Sequence, residues 1–131
     1  ASHASVDFTK QAKVRTINFN EYDLITCFAN DYGYENWISK ALEFYGKSGD
    51  IIVLISSSGN SENMVKAAKK AKEMKVKVIT FTGFSSSNKL KSNGDLNFWL
   101  DSKAYNIVEN IHQIWLLMVC DLIIGKMEYS A

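Results

Sequence analysis

Ser56-Ser57-Ser58-Gly59-Asn60-Ser61 is the densest run of chemically useful side chains in the sequence. It follows the unbroken apolar run Ile51-Ile52-Val53-Leu54-Ile55 and precedes a helical pattern that starts at Glu62. Gly59 permits a backbone turn in which main-chain N–H groups converge. A helix start adds orphan N–H donors and a partial positive charge, which together make an anion site. Serine hydroxyls donate to phosphate oxygens without bringing a charge of their own. No lysine of Walker type follows Gly59, which disfavours a triphosphate loop, and no Gly-x-Ser-x-Gly elbow marks a nucleophilic serine. The plainer alternative is a helix cap at Ser58, Asn60 or Ser61. One cap needs one such residue, and this loop offers five.

The surrounding elements must place that loop at the end of a strand. Ile51–Ile55 has the continuous apolar character of a strand covered on both faces. Val76-Lys77-Val78-Ile79-Thr80-Phe81-Thr82 and Leu96-Asn97-Phe98-Trp99-Leu100 read as further strands, and Val14-Arg15-Thr16-Ile17 as a short one. Between the central pair, residues 62–75 carry Met64, Val65, Ala68, Ala71 and Met74 at helical spacing, with lysines on the other side. That lysine cluster reads as a solvated helix face rather than a nucleic-acid patch. Strand, helix and strand in about thirty residues form a βαβ unit, hence a parallel sheet with a right-handed crossover. Ligands collect at the carboxyl edge of such a sheet. Helices are also expected over residues 21–29, 36–45 and 105–125. From Ile111 onward the last one is apolar nearly all round, so it belongs in a core or a subunit interface.

At 131 residues the chain has room for one domain. With 47% hydrophobic and 22% charged residues and a formal net charge of +1, nothing global points to nucleic acid or an anionic membrane. No signal peptide is visible, and no apolar run reaches the roughly 18 residues needed to span a bilayer. Cys27 and Cys120 sit among apolar neighbours and read as buried, reduced thiols of a cytoplasmic protein.

The segment Gly49-Asp50-Ile51-Ile52-Val53-Leu54-Ile55-Ser56-Ser57-Ser58-Gly59-Asn60-Ser61-Glu62-Asn63 closely resembles the core signature of the sugar isomerase (SIS) domain family. Its phosphoheptose isomerase branch is the most similar, through Asn30-Asp31-Tyr32-Gly33-Tyr34 and the strand end Thr80-Phe81-Thr82-Gly83. The resemblance implies an α/β fold, a three-layer α-β-α sandwich with a mainly parallel, Rossmann-like sheet of five strands. It also implies a homotetramer or homodimer with sites between subunits. The single domain over residues 1–131 then lacks the family's N-terminal helices, first strand and first ligand loop, so the chain is expected to be incomplete.

By the same resemblance, Ser56, Ser57, Gly59 and Ser61 hold a phosphate, with Asn30, Asp31 and Asn106 at further substrate positions. The implied reaction is aldose–ketose isomerisation of sedoheptulose 7-phosphate to a heptose 7-phosphate for surface-glycan precursors. Such a reaction needs a base beside the C1–C2 edge and a group to handle the oxygens. The family's His-x-x-x-Glu pair becomes His3 and Asp7, its later Gln becomes Glu109, and its Asp becomes Asn106. The family's catalytic His becomes Leu117, which can neither donate nor accept a proton. His112, three residues after Glu109 and so its neighbour on a helix, is the candidate replacement. Some family members bind zinc at this constellation, and His3, Asp7 and Glu109 would supply one nitrogen and two oxygens. No cofactor is otherwise required. These substitutions leave lost activity, a changed substrate or a rearranged site open. The alternative to an isomerase is a non-catalytic module that binds a sugar phosphate or a protein partner.

Overall fold

A computed structural model describes residues 1–129. In chain order the elements are α1 (Ser2–Lys10), α2 (Tyr22–Tyr32), α3 (Trp37–Tyr45), β1 (Ile51–Ser56), α4 (Glu62–Glu73), β2 (Lys77–Thr82), β3 (Leu96–Trp99) and α5 (Tyr105–Ile124), with a 3-10 turn at Lys91–Asn93. The strands form a parallel sheet in the order β1-β2-β3, with Ser56 opposite Thr82 at its carboxyl edge. The described residues thus hold three strands where the family resemblance implies five.

Two apolar layers sandwich the sheet. On one face Trp37, Ile38 and Leu42 of α3 and Val65, Ala68 and Ala71 of α4 pack against Ile52, Leu54 and Val78. Ala67, Ala68 and Ala71 are fully buried. Their short side chains let the α4 backbone lie close to the sheet, and its lysines stay outside. On the other face Ala4 of α1 and Leu116 of α5 pack on Phe81, with Ile55, Ile79 and Phe98 around them. Phe81 and Phe98 stack with ring centroids 4.6 Å apart.

Residues 14–17 are not a strand, contrary to the sequence expectation. Their β-branched side chains suit one, but the segment finds no ladder partner. Instead Thr16 bonds back to α1, donating to the Ser5 carbonyl at 2.7 Å and pairing with the Ser5 and Thr9 hydroxyls. The expectation of two buried thiols is also corrected: Cys120 is buried, whereas Cys27 is exposed on α2, and both are free.

α5 buries a single i, i+4 stripe of Val108, His112, Leu116 and Cys120. Ile107, Ile114, Met118, Leu122 and Ile123 are each half exposed or more. By length and composition the helix is apolar enough to cross a membrane. Its buried stripe nevertheless packs on the sheet, and it carries Glu109 and Asp121. The apolar wrap read from sequence therefore faces the core on one side only.

Phe81→Ala should destabilise the fold by about 3–5 kcal/mol, because it empties the centre of the second layer. Urea unfolding measures this; a loss under about 1 kcal/mol would show that the stacked pair is not a core element.

Candidate functional site

β1 delivers Ser56 to the sheet edge, and the chain then reverses into α4. Gly59 makes that reversal in the left-handed region, with φ of +65°. A Cβ there would collide with the side chain of Asn88, so the position excludes any other residue twice over. Ser56 holds the turn by accepting from the Gly59 N–H with its hydroxyl (3.2 Å) and its carbonyl (3.0 Å). Its hydroxyl also lies 3.3 Å from that of Ser61.

Ser61 is the N-cap residue of α4, yet its side chain makes no cap hydrogen bond. The Ser61 carbonyl accepts from Met64 and Val65, and Asn63 Oδ1 accepts from the Met64 N–H at 2.9 Å. The N–H groups of Glu62 and Asn63 are left without a protein acceptor among the described residues. The capping alternative is therefore not the one this structure adopts. Those donors open into a cleft of about 520 Å³ lined by Ser56, Ser57, Ser58, Ser61, Glu62 and Asn63, with Tyr34, Glu35 and Tyr105 opposite.

Ser57 and Ile55 also line a second recess of about 230 Å³, completed by Glu109, His112, Gln113, Leu116 and Ala1. The Ser57 hydroxyl donates to Glu109 Oε1 at 3.3 Å. One serine thus borders both the cleft at the start of α4 and a recess holding a carboxylate, an imidazole and an amide.

One cation serves the two carboxylates at the cleft, Glu35 and Glu62. Lys66 Nζ lies 3.6 Å from both Glu35 and Glu62 and donates to Asn36 Oδ1 at 3.0 Å. A backbone hydrogen bond within Glu35, together with the Lys66 ammonium, holds the Glu35 carboxyl below its usual range. His112 is 2% exposed. Its Nε2 lies 3.0 Å from the Thr82 carbonyl, which can only accept, so Nε2 carries the proton and Nδ1 is a free acceptor. Nδ1 is buried without a partner. Burial pushes the imidazole below the ordinary histidine value of 6.5, against smaller opposing contributions from Thr82 and Glu109.

Several expected site residues lie elsewhere. Asn30 and Asp31 are exposed in the last turn of α2, bonded to each other at 2.9 Å, and line neither cavity. Tyr34, just beyond them, lines the cleft instead. Asn106 is exposed in the first turn of α5, and its neighbour Tyr105 is the one that faces the cleft. Asp7 pairs with His3 at 3.1 Å and lies beside Cys120, whose thiol is pushed up by burial and by the nearby Asp7 and Asp121 charges. Glu109 is three turns earlier on α5, about 16 Å along the axis. Because α1 runs beside α5 with Ala1 at the recess, Asp7 ends up at the wrong end of the helix pair to act with Glu109.

The proposed zinc set is corrected for the same reason. His3, Asp7 and Glu109 do not converge, and among the described residues no three His, Cys, Asp or Glu side chains gather closely enough for a metal ion. The residues present in this chain do not fit zinc. Leu117 is half-buried in the second apolar layer. Sequence reasoning missed Glu35, Tyr105, Gln113 and Asn88. A polar Gln113 directly after His112 on an apolar helix was the available signal for one of them; the others carry none.

Comparison with known proteins bears on this geometry directly. The SIS domain family matches residues 5–83, which include all but the first turn of α1, together with β1, the serine loop, α4 and β2. The chain belongs to the SIS domain family. A phosphoheptose isomerase of Fusobacterium nucleatum is 35% identical over 133 residues, covering 98% of this SIS domain and 66% of that protein. A probable phosphoheptose isomerase of Thermoplasma acidophilum is 38% identical over 102 residues, covering 78% of this chain and 56% of its own length. The chain thus spans less than two thirds of both relatives. A solved phosphoheptose isomerase from Francisella tularensis superposes with a TM-score of 0.86 at 26% identity, over 95% of this SIS domain and 68% of that chain.

A depressed imidazole pKa fixes a pH dependence of stability. The unfolded chain takes up the His112 proton first as pH falls, so the stabilisation is complete above about 6.5 and is lost through lower pH. Urea midpoints from pH 8 to 5 should fall for the wild type, and His112→Gln should remove part of that fall. Parallel curves for the two proteins would contradict a buried neutral imidazole.

Proposed function

We propose that this SIS domain holds a sugar phosphate at the start of α4 and isomerises it between aldose and ketose. The single observation that carries this reading is the uncapped helix start, with the Glu62 and Asn63 N–H groups free above four serine hydroxyls. A phosphate placed there accepts from those N–H groups and from Ser61, and from Ser56 and Ser57 once their hydroxyls turn from Ser61 and Glu109, and takes the favourable end of the helix dipole. The names of the relatives support sedoheptulose 7-phosphate as substrate and a heptose 7-phosphate as product, of the kind used for surface glycans.

From the phosphate, the sugar runs over Ser57 into the recess. Isomerisation removes a proton from the carbon beside the carbonyl, forms an enediol and returns a proton to the neighbouring carbon. Glu109 is the carboxylate placed to take and return that proton. A second proton passes between the two enediol oxygens. In this reading neutral His112 takes that proton at Nδ1 from one enediol hydroxyl and returns it to the other oxygen, which the Gln113 amide steadies with a hydrogen bond. The reading assigns Asp7 no part in proton transfer, since it lies beside Cys120. The proposed assembly is a homotetramer or homodimer in the cytoplasm, covering the exposed apolar side of α5.

A second reading, a sugar-phosphate-binding or protein-interaction module without turnover, is favoured by one observation. Leu117 lies in an apolar layer and offers no proton at the position where the family carries a histidine.

Sedoheptulose 7-phosphate incubated with the intact protein in D2O separates the two. The isomerase reading expects an aldose product or C–H deuteration by NMR, reduced at least about 100-fold by Glu109→Gln. Binding without exchange at any enzyme concentration would leave the module reading standing.

A further inference from the structure

We propose that Asn88 is a positioning residue for the phosphate loop, the brace that holds Gly59 in its left-handed turn and thereby aims the α4 N–H groups. The proposal rests on the reading that this loop takes a phosphate. Asn88 is 1% exposed and lies in the connection between β2 and β3, far from the loop in sequence. Its Nδ2 donates to Thr82 Oγ1 (3.1 Å), the Ser85 carbonyl (2.9 Å) and the Gly83 carbonyl (3.4 Å). Its Oδ1 accepts from the Lys91 N–H at 2.9 Å. With both ends fixed, the side chain fills the space beside Gly59 where a Cβ would otherwise stand.

The residues that follow complete the brace. The Leu90 N–H donates to the Gly59 carbonyl at 2.8 Å, and the Lys89 N–H donates to Asn60 Oδ1 at 3.2 Å. Leu90 itself is fully buried in the first apolar layer, so the connection cannot drift. At its other end the Gly83 N–H donates to the Ser57 carbonyl at 2.9 Å. Phe84 sits at a φ of +56°, a strained conformation for a bulky side chain. Its ring meets Tyr105 edge-on at 4.9 Å, beside the cleft. Ser57, Gly59 and Asn60 of the phosphate loop are thus each bonded to residues 83–90, and the Asn88 side chain ties the start of that connection (Thr82, Gly83, Ser85) to its end at Lys91.

The experiment uses the intact protein with inorganic phosphate and sedoheptulose 7-phosphate as probes. For Asn88→Ala, calorimetric titration should give phosphate affinity at least about tenfold weaker, as loss of a brace worth one or two hydrogen bonds implies. KM should rise by a similar factor while kcat changes less than about threefold, since Glu109 and His112 lie outside the brace. Amide hydrogen exchange should accelerate at residues 59–63 and stay unchanged in β1 and β2, a pattern that general destabilisation does not produce. If Asn88→Ala folds poorly, Asn88→Ser carries the same three measurements. A folded variant that binds phosphate within about twofold of wild type, with unchanged exchange at residues 59–63, overturns the proposal. If the wild type itself binds neither probe, the phosphate reading fails. Loop exchange in the variant then still decides the role of Asn88: acceleration confined to residues 59–63 supports the brace, and no change removes it.

Discussion

A helix whose N-cap side chain makes no bond leaves donors that water or a ligand must satisfy, and in this protein the Glu62 and Asn63 N–H groups of α4 are left so amid four serines. The other features of the site serve that arrangement. The parallel sheet puts the end of β1 and the start of α4 at one carboxyl edge. Gly59 turns the chain tightly enough for the N–H groups to face one cleft. Lys66 offsets one of the two negative charges that Glu35 and Glu62 bring to the same mouth, which lessens their repulsion of a phosphate. The donors keep their aim because Ser56 and the connection after β2 hold the loop from opposite sides.

α5 links binding to chemistry. Its buried stripe anchors it on the sheet, and that same stripe contains His112, whose bond to the Thr82 carbonyl fixes which ring nitrogen stays free. Glu109 sits one turn earlier, toward the recess, where it meets Ser57. A single helix rotation thus decides both packing and which polar groups reach the ligand. The exposed side, with Ile107, Ile114, Met118, Leu122 and Ile123, is too apolar to be explained by solvent alone.

Much of this was legible beforehand, for identifiable reasons. β1, β2 and β3 were readable as short runs rich in β-branched and aromatic residues bounded by turn residues. β1 is not covered on both faces as its apolar run implied, however, since Ile51 and Val53 are exposed while Ile52 and Leu54 are buried. α4 was readable because its small apolar residues repeat at helical spacing. The serine loop was readable from density of hydroxyls at a strand–helix junction. Residues 14–17 misled because β-branched residues signal a strand only where a ladder partner exists, and here hydroxyl bonds to α1 take its place. Asn30, Asp31, Asn106 and Asp7 were placed by resemblance, which aligns positions but does not say which of them meet within one chain. Asn88 was invisible because its role is a contact with a residue 29 positions earlier, at a site where that residue has no side chain.

The most direct test of the central claim follows backbone amides by 15N NMR while inorganic phosphate and then sedoheptulose 7-phosphate are added. The account predicts large, saturable shifts of the Glu62 and Asn63 amides with both ligands, and shifts at Glu109 and Gln113 with the sugar phosphate alone. Saturable binding that leaves the Glu62 and Asn63 amides unmoved would contradict it.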